Sequence, residues 1–60
     1  SDILFVVTPI NSILTITDMS NKLIFTKNVT QGTNTIDVNF SNGIYILRVG
    51  NYTNKVIIRK

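Results

Sequence analysis

The chain has no cysteine and no histidine. Their absence excludes a disulfide framework and the usual zinc constellations. It also removes the common general base of Ser- and Cys-type nucleophilic catalysis. The only acids are Asp2, Asp18 and Asp37, on separate segments, so paired carboxylates for acid–base work are not expected. The three glycines, at 32, 43 and 50, stand apart and form no phosphate-cradling loop. Alanine is missing, no window holds a sustained 3.6-residue apolar period, and no apolar run approaches the roughly 20 residues of a membrane helix. This inventory predicts no enzyme, no metal, no cofactor and no small-molecule substrate.

Sixty residues make one domain at most, near the lower size at which a chain buries a sufficient core unaided. The composition, 43% hydrophobic and 15% charged, is too apolar for a disordered tail. Ile, Val and Thr recur throughout, and such β-branched side chains fit a pleated sheet better than a helix. They predict six strands, at 3–8, 12–18, 22–28, 33–39, 43–50 and 52–59, and no helix.

The intervening residues have turn chemistry. The single proline, in "TPIN" at 8–11, gives a ladder no amide hydrogen and ends a strand. In "ITDMSNKLIF", the Asp18 side chain can bond nearby backbone to start a turn, and Asn21 is the residue best suited to φ > 0 before the return strand. "TQGT" at 30–33 supplies a further loop. Gly50-Asn51 between two apolar runs predicts a two-residue hairpin. Gly43 is expected to release the chain from a turn at 41–43; a positive φ there would make a β-branched replacement strained.

Period-2 alternation assigns faces. In "GIYILRV", Tyr45, Leu47 and Val49 share one face, and Arg48 marks the other, with Ile44 and Ile46, as the wetter one. Tyr45, Leu47, Val49, Leu14, Ile16, Ile36 and Val38 are therefore expected to point inward, and Val56 and Ile58 to oppose Lys55, Ile57 and Arg59. Short strands at regular spacing with one apolar face predict an all-β antiparallel sandwich, one domain over residues 1–60.

Net charge is +3, and every charge after residue 40 is basic: Arg48, Lys55, Arg59 and Lys60. Such asymmetry suits an anionic or acidic partner, or a solubilising edge on a β-domain. Tyr45 and Tyr52 with Arg48, Lys55 and Arg59 could imitate a stacking platform for nucleic acid. Alternation buries Tyr45 and leaves one exposed aromatic, so no nucleic-acid partner is expected. Apolar outer positions such as Ile44, Ile46 and Ile57, with open strand edges, predict weak homodimer formation, with strand exchange through the N-terminal segment as one route.

Three local patterns, "LTITDMSNKLIFTK" (14–27), "FSNGIYILRV" (40–49) and "NKVIIRK" (54–60), occur in an order that resembles the C-terminal sorting domain of the type IX secretion system, found on exported proteins of Bacteroidetes. Asn21 stands where that family usually has glycine. The resemblance implies an immunoglobulin-like antiparallel sandwich of six to seven strands, forming the C-terminal part of a longer secreted protein. It implies a signal recognised as a folded domain by the outer-membrane translocon after passage through the periplasm. A sortase-like peptidase then usually removes the domain and joins the passenger to anionic lipopolysaccharide. On this reading Lys55, Arg59 and Lys60 carry recognition, while Gly43, Tyr45, Gly50, Asp18 and Asn21 are mainly structural. An immunoglobulin-like structural or adhesive module of a surface protein is the alternative.

Overall fold

The computed structural model describes residues 2–59 and contains six antiparallel strands. They are β1 (Asp2–Thr8), β2 (Ser12–Asp18), β3 (Leu23–Val29), β4 (Gly32–Val38), β5 (Gly43–Val49) and β6 (Tyr52–Ile58). No helix occurs among the described residues. A two-stranded sheet, β1-β4, packs over a four-stranded sheet ordered β3-β2-β5-β6. The smallest dimension of the Cα trace is 14 Å, as two sheets about 10 Å apart require. The predicted all-β sandwich is therefore observed.

Two hairpins build the larger sheet, and each has a local cause. Between β2 and β3, Asp18 Oδ1 accepts hydrogen bonds from the amides of Ser20 (2.8 Å) and Lys22 (2.9 Å). Asn21 adopts φ 66°, in the left-handed region that asparagine tolerates. Between β5 and β6, Val49 pairs with Tyr52 across Gly50-Asn51, and only Gly50 of these two has positive φ (58°). That sign pattern belongs to a II′-type hairpin turn, whose sense of twist matches the flanking strands. Gly43 differs from expectation. It is the first residue of β5 and has no positive φ; the left-handed glycines are Gly32 (φ 106°) and Gly50. The chain leaves the 41–42 turn in extended conformation, so no left-handed residue is needed there.

The chain changes layer three times: after β1, after β3 and after β4. The β3–β4 corner is the tightest, with Thr30 and Gln31 alone between the strands. Gly32 makes the bend, and buried Asn34 fixes it. Its Oδ1 accepts from the Thr30 amide (3.1 Å), and its Nδ2 donates to the carbonyls of Thr30 (2.8 Å) and Gly32 (3.3 Å). Asn11 Oδ1 accepts from the Gln31 amide (2.8 Å), tying this corner to the β1–β2 connection.

The core lies between the layers, over the central pair β2–β5. All seven residues expected inside are buried: Leu14, Ile16, Ile36, Val38, Tyr45, Leu47 and Val49. Val29 joins them, and Leu4, Val6, Phe25, Phe40, Val56 and Ile58 pack around the cluster. In β2 alternation breaks once. The β2–β3 register shifts between Ile16 and Thr17, so that Thr17 pairs with Leu23, and both Ile16 and Thr17 are buried. Among the described residues, no buried side-chain polar atom lacks a partner, which a core this small requires because an unpaired buried donor costs about 1–3 kcal/mol.

Candidate recognition surface

The basic residues near the C-terminus rise from the β5–β6 hairpin. β6 is an edge strand of the larger sheet, held to β5 in unbroken register from Gly43↔Ile58 to Val49↔Tyr52. Lys55 pairs with Ile46, on the outer face of the sheet, and is exposed. Arg59 follows the end of β6 and is also exposed. Lys60 lies outside the described residues. The surface thus places Lys55 on a regular strand and Arg59 just beyond it.

Arg48 belongs to the same face, although the recognition set read from the sequence omits it. It pairs with Thr15 on one side and Thr53 on the other, which puts it diagonally across from Lys55. Diagonal neighbours in an antiparallel pair lie about 7–8 Å apart at Cα. The Arg48 Nη1 donates to Thr17 Oγ1 (3.1 Å), which anchors the guanidinium. The sequence signal was the parity shared by Arg48 and Lys55 across a two-residue turn. The two cations make a positive outer face with Ile44 and Ile57 beside them, both exposed. Tyr45 and Tyr52 lie on the opposite, inward side, since Tyr52 pairs with buried Val49. Aromatics and cations are therefore not brought together as a stacking platform.

Tyr45 supports this surface from beneath. Its hydroxyl donates to the Ser41 carbonyl (2.6 Å), and its ring packs on Phe40 with centroids 5.4 Å apart. Phe40 in turn meets Phe25 at 6.0 Å. A Cβ built on Gly43 would lie 3.7 Å from the Tyr45 ring, so the glycine sits directly against it. Asp18, Asn21 and Gly50 occupy turns at the ends of the sheet, where they shape hairpins. No group of three or more potential metal-ligating side chains occurs among the described residues.

One family model, described as the secretion system C-terminal sorting domain, matches residues 1–60, the whole chain. No curated protein and no solved structure matches it. The chain belongs to this family, the type IX secretion sorting domains that its segments 14–27, 40–49 and 54–60 resemble, whose role is to direct export across the outer membrane to the cell surface or the extracellular space.

Proposed function

We propose that this domain is the C-terminal part of a longer secreted protein, and that the outer-membrane translocon reads it in the folded state after transit through the periplasm. The family match over the whole chain carries this reading. An immunoglobulin-like character is supported by Tyr45, at the start of β5, whose hydroxyl reaches a carbonyl four residues upstream as in the tyrosine corner of such sandwiches. Lys55, Arg59 and Lys60 supply the charge that the receptor reads, with the β6 edge open to strand addition. A sortase-like peptidase then removes the domain and transfers the passenger to anionic lipopolysaccharide. Weak self-association uses the outer faces, where Phe5, Ile44 and Ile57 are exposed.

The test is a reporter fused to residues 1–60 in a bacterium that has this secretion system. The intact domain directs the reporter to the surface. Replacing Lys55, Arg59 and Lys60 together with Ser reduces surface accumulation while the purified variant keeps its melting temperature, because exposed charges usually change stability by only about 0.5 kcal/mol each. Normal export of the triple variant would reduce these residues to a solubilising edge. Loss of export together with loss of folding would assign them to the structure instead of to recognition.

A further inference from the structure

The outer face of the larger sheet carries charge of one sign. Arg48 and Lys55 stand on it, both exposed. Among the described residues the acids are engaged elsewhere. Asp18 Oδ1 accepts from the amides of its own turn, and Asp37 pairs with exposed Ile3 on the outer side of the smaller sheet. No carboxylate of the described residues forms an ion pair with Arg48 or Lys55. The two cations are held differently, however. β5 is hydrogen-bonded on both sides, to β2 and β6, which fixes the Arg48 backbone in mid-sheet, whereas Lys55 lies on the edge strand. The Arg48 side chain crosses diagonally to β2, where its Nη1 donates to Thr17 Oγ1 (3.1 Å). Thr17 lies opposite Ile46 and is only 9% exposed, so the guanidinium rests on a buried seat. Among the described residues no hydrogen bond holds the Lys55 ammonium, and Arg59 follows the end of β6.

A guanidinium carries its N–H donors in a planar fork that matches the two oxygens of a carboxylate. Thr17 takes one donor, and the others remain for a ligand. Thr15 and Thr53, the direct partners of Arg48 on β2 and β6, set a hydroxyl on each side of it. Such partners have Cβ atoms about 4.5–5.5 Å apart, within reach of the same bound group. Exposed Ile13, Ile44 and Ile57 lie farther out on this face. An arginine ringed by side chains that shut out water is the usual anchor of a protein–protein contact. Adsorption to an anionic lipid surface instead draws on clusters of roughly four to eight Lys and Arg. This face presents Arg48 and Lys55 alone, which favours a protein carboxylate over a lipid surface.

We propose that Arg48 is the specificity-determining residue of the recognition surface. Its guanidinium takes one carboxylate of an acidic side chain on the partner protein through two parallel hydrogen bonds, with the Thr53 hydroxyl and the Lys55 ammonium beside it. Lys55 and Arg59 supply attraction at longer range, and Arg48 reads geometry. The inference rests on the export reading above, in which a receptor meets the β5–β6 face, and adds a residue and a ligand chemistry to it.

The experiment again follows a reporter fused to residues 1–60, beside melts of the purified domains. Arg48→Lys keeps the charge and removes the fork; it should lower surface accumulation by roughly tenfold or more, as loss of an interface anchor does. Lys55→Arg keeps the charge that steers and should stay within about twofold of the parent. Thr17→Val supplies the stability control, since it deletes the same hydrogen bond and spares the guanidinium. It should be exported better than Arg48→Lys even where the two melt alike. Equal export of these two variants would assign Arg48 to the structure and overturn the proposal. Full export of Arg48→Lys beside poor export of Arg48→Ser would overturn it too, while leaving recognition by charge intact. Full export of Arg48→Ser would refute any role for Arg48, and the triple variant at Lys55, Arg59 and Lys60 then judges the broader reading separately. Co-sedimentation of the purified domain with phosphatidylglycerol vesicles, abolished by Arg48→Ser, would give the fork to lipid phosphate and overturn the protein partner.

Discussion

Gly43 and Gly50 flank β5 and should respond oppositely to the same substitution. Gly50 has φ 58°, where an L-residue costs roughly 1–2 kcal/mol. Gly43 has no positive φ, and an added Cβ would meet the Tyr45 ring at 3.7–3.8 Å, an ordinary contact distance. Alanine there also narrows the unfolded ensemble, a gain of about 0.4–1 kcal/mol where the native conformation is compatible. For a domain of this size, 1 kcal/mol moves the melting midpoint by up to about 8 °C. At about 4–8 °C per kcal/mol, Gly50→Ala should therefore lower the midpoint by about 4–16 °C, and Gly43→Ala should raise it by about 2–8 °C. Circular dichroism melts of the three proteins at equal concentration decide the matter. A Gly43→Ala midpoint well below that of the parent, or a Gly50→Ala midpoint equal to it, would refute the backbone reasoning for β5.

Other outcomes follow from particular contacts. Tyr45→Phe removes the hydroxyl that donates to the Ser41 carbonyl and should cost about 1 kcal/mol, seen as a lower denaturant midpoint with an unchanged slope. Asn34→Ala leaves the Thr30 amide without its side-chain acceptor at the β3–β4 corner; about 1–3 kcal/mol of destabilisation is expected, measured by the same titration. Analytical ultracentrifugation should show the average mass rising with concentration, and a monomer up to millimolar protein would remove self-association from the account.

How much of this was legible in the sequence depended on the range of each interaction. Parity along "GIYILRV" placed Tyr45, Leu47 and Val49 inside, because alternation is a property of one strand alone. The Gly50-Asn51 turn was equally local. Sheet partners were not: β2 pairs with β5 across the intervening β3 and β4, and no single-strand pattern encodes that choice. Burial of Thr17 escaped because a register shift interrupts the period, and burial of Asn34 escaped because its partners are backbone groups of a corner. The sequence left the sign of φ at Gly43 open, since turn-like residues at 41–42 do not force a left-handed residue after them. Arg48 was left out of the recognition set although its parity matched Lys55 across the hairpin.

Recognition and stability can be driven in opposite directions at one residue. Arg48 and Lys55 are like charges at diagonal positions on an exposed face. Lys55→Glu converts this neighbouring pair from repulsive to attractive without touching the core. Exposed pairs of this kind contribute at most about 1 kcal/mol, often only a few tenths. The midpoint should therefore hold or rise by a few degrees, and any gain should shrink as salt screens the pair. If the translocon reads positive charge at the β5–β6 face, the same substitution reduces export, because a reversed charge opposes the receptor potential as well as losing attraction. A domain exported merely because it is folded would show the opposite trend, with surface accumulation equal to or above that of the parent. Export measured beside the melting temperature of Lys55→Glu thus separates the two accounts by sign. A variant that melts at or above the parent temperature and is exported in full would end the case for charge recognition at Lys55.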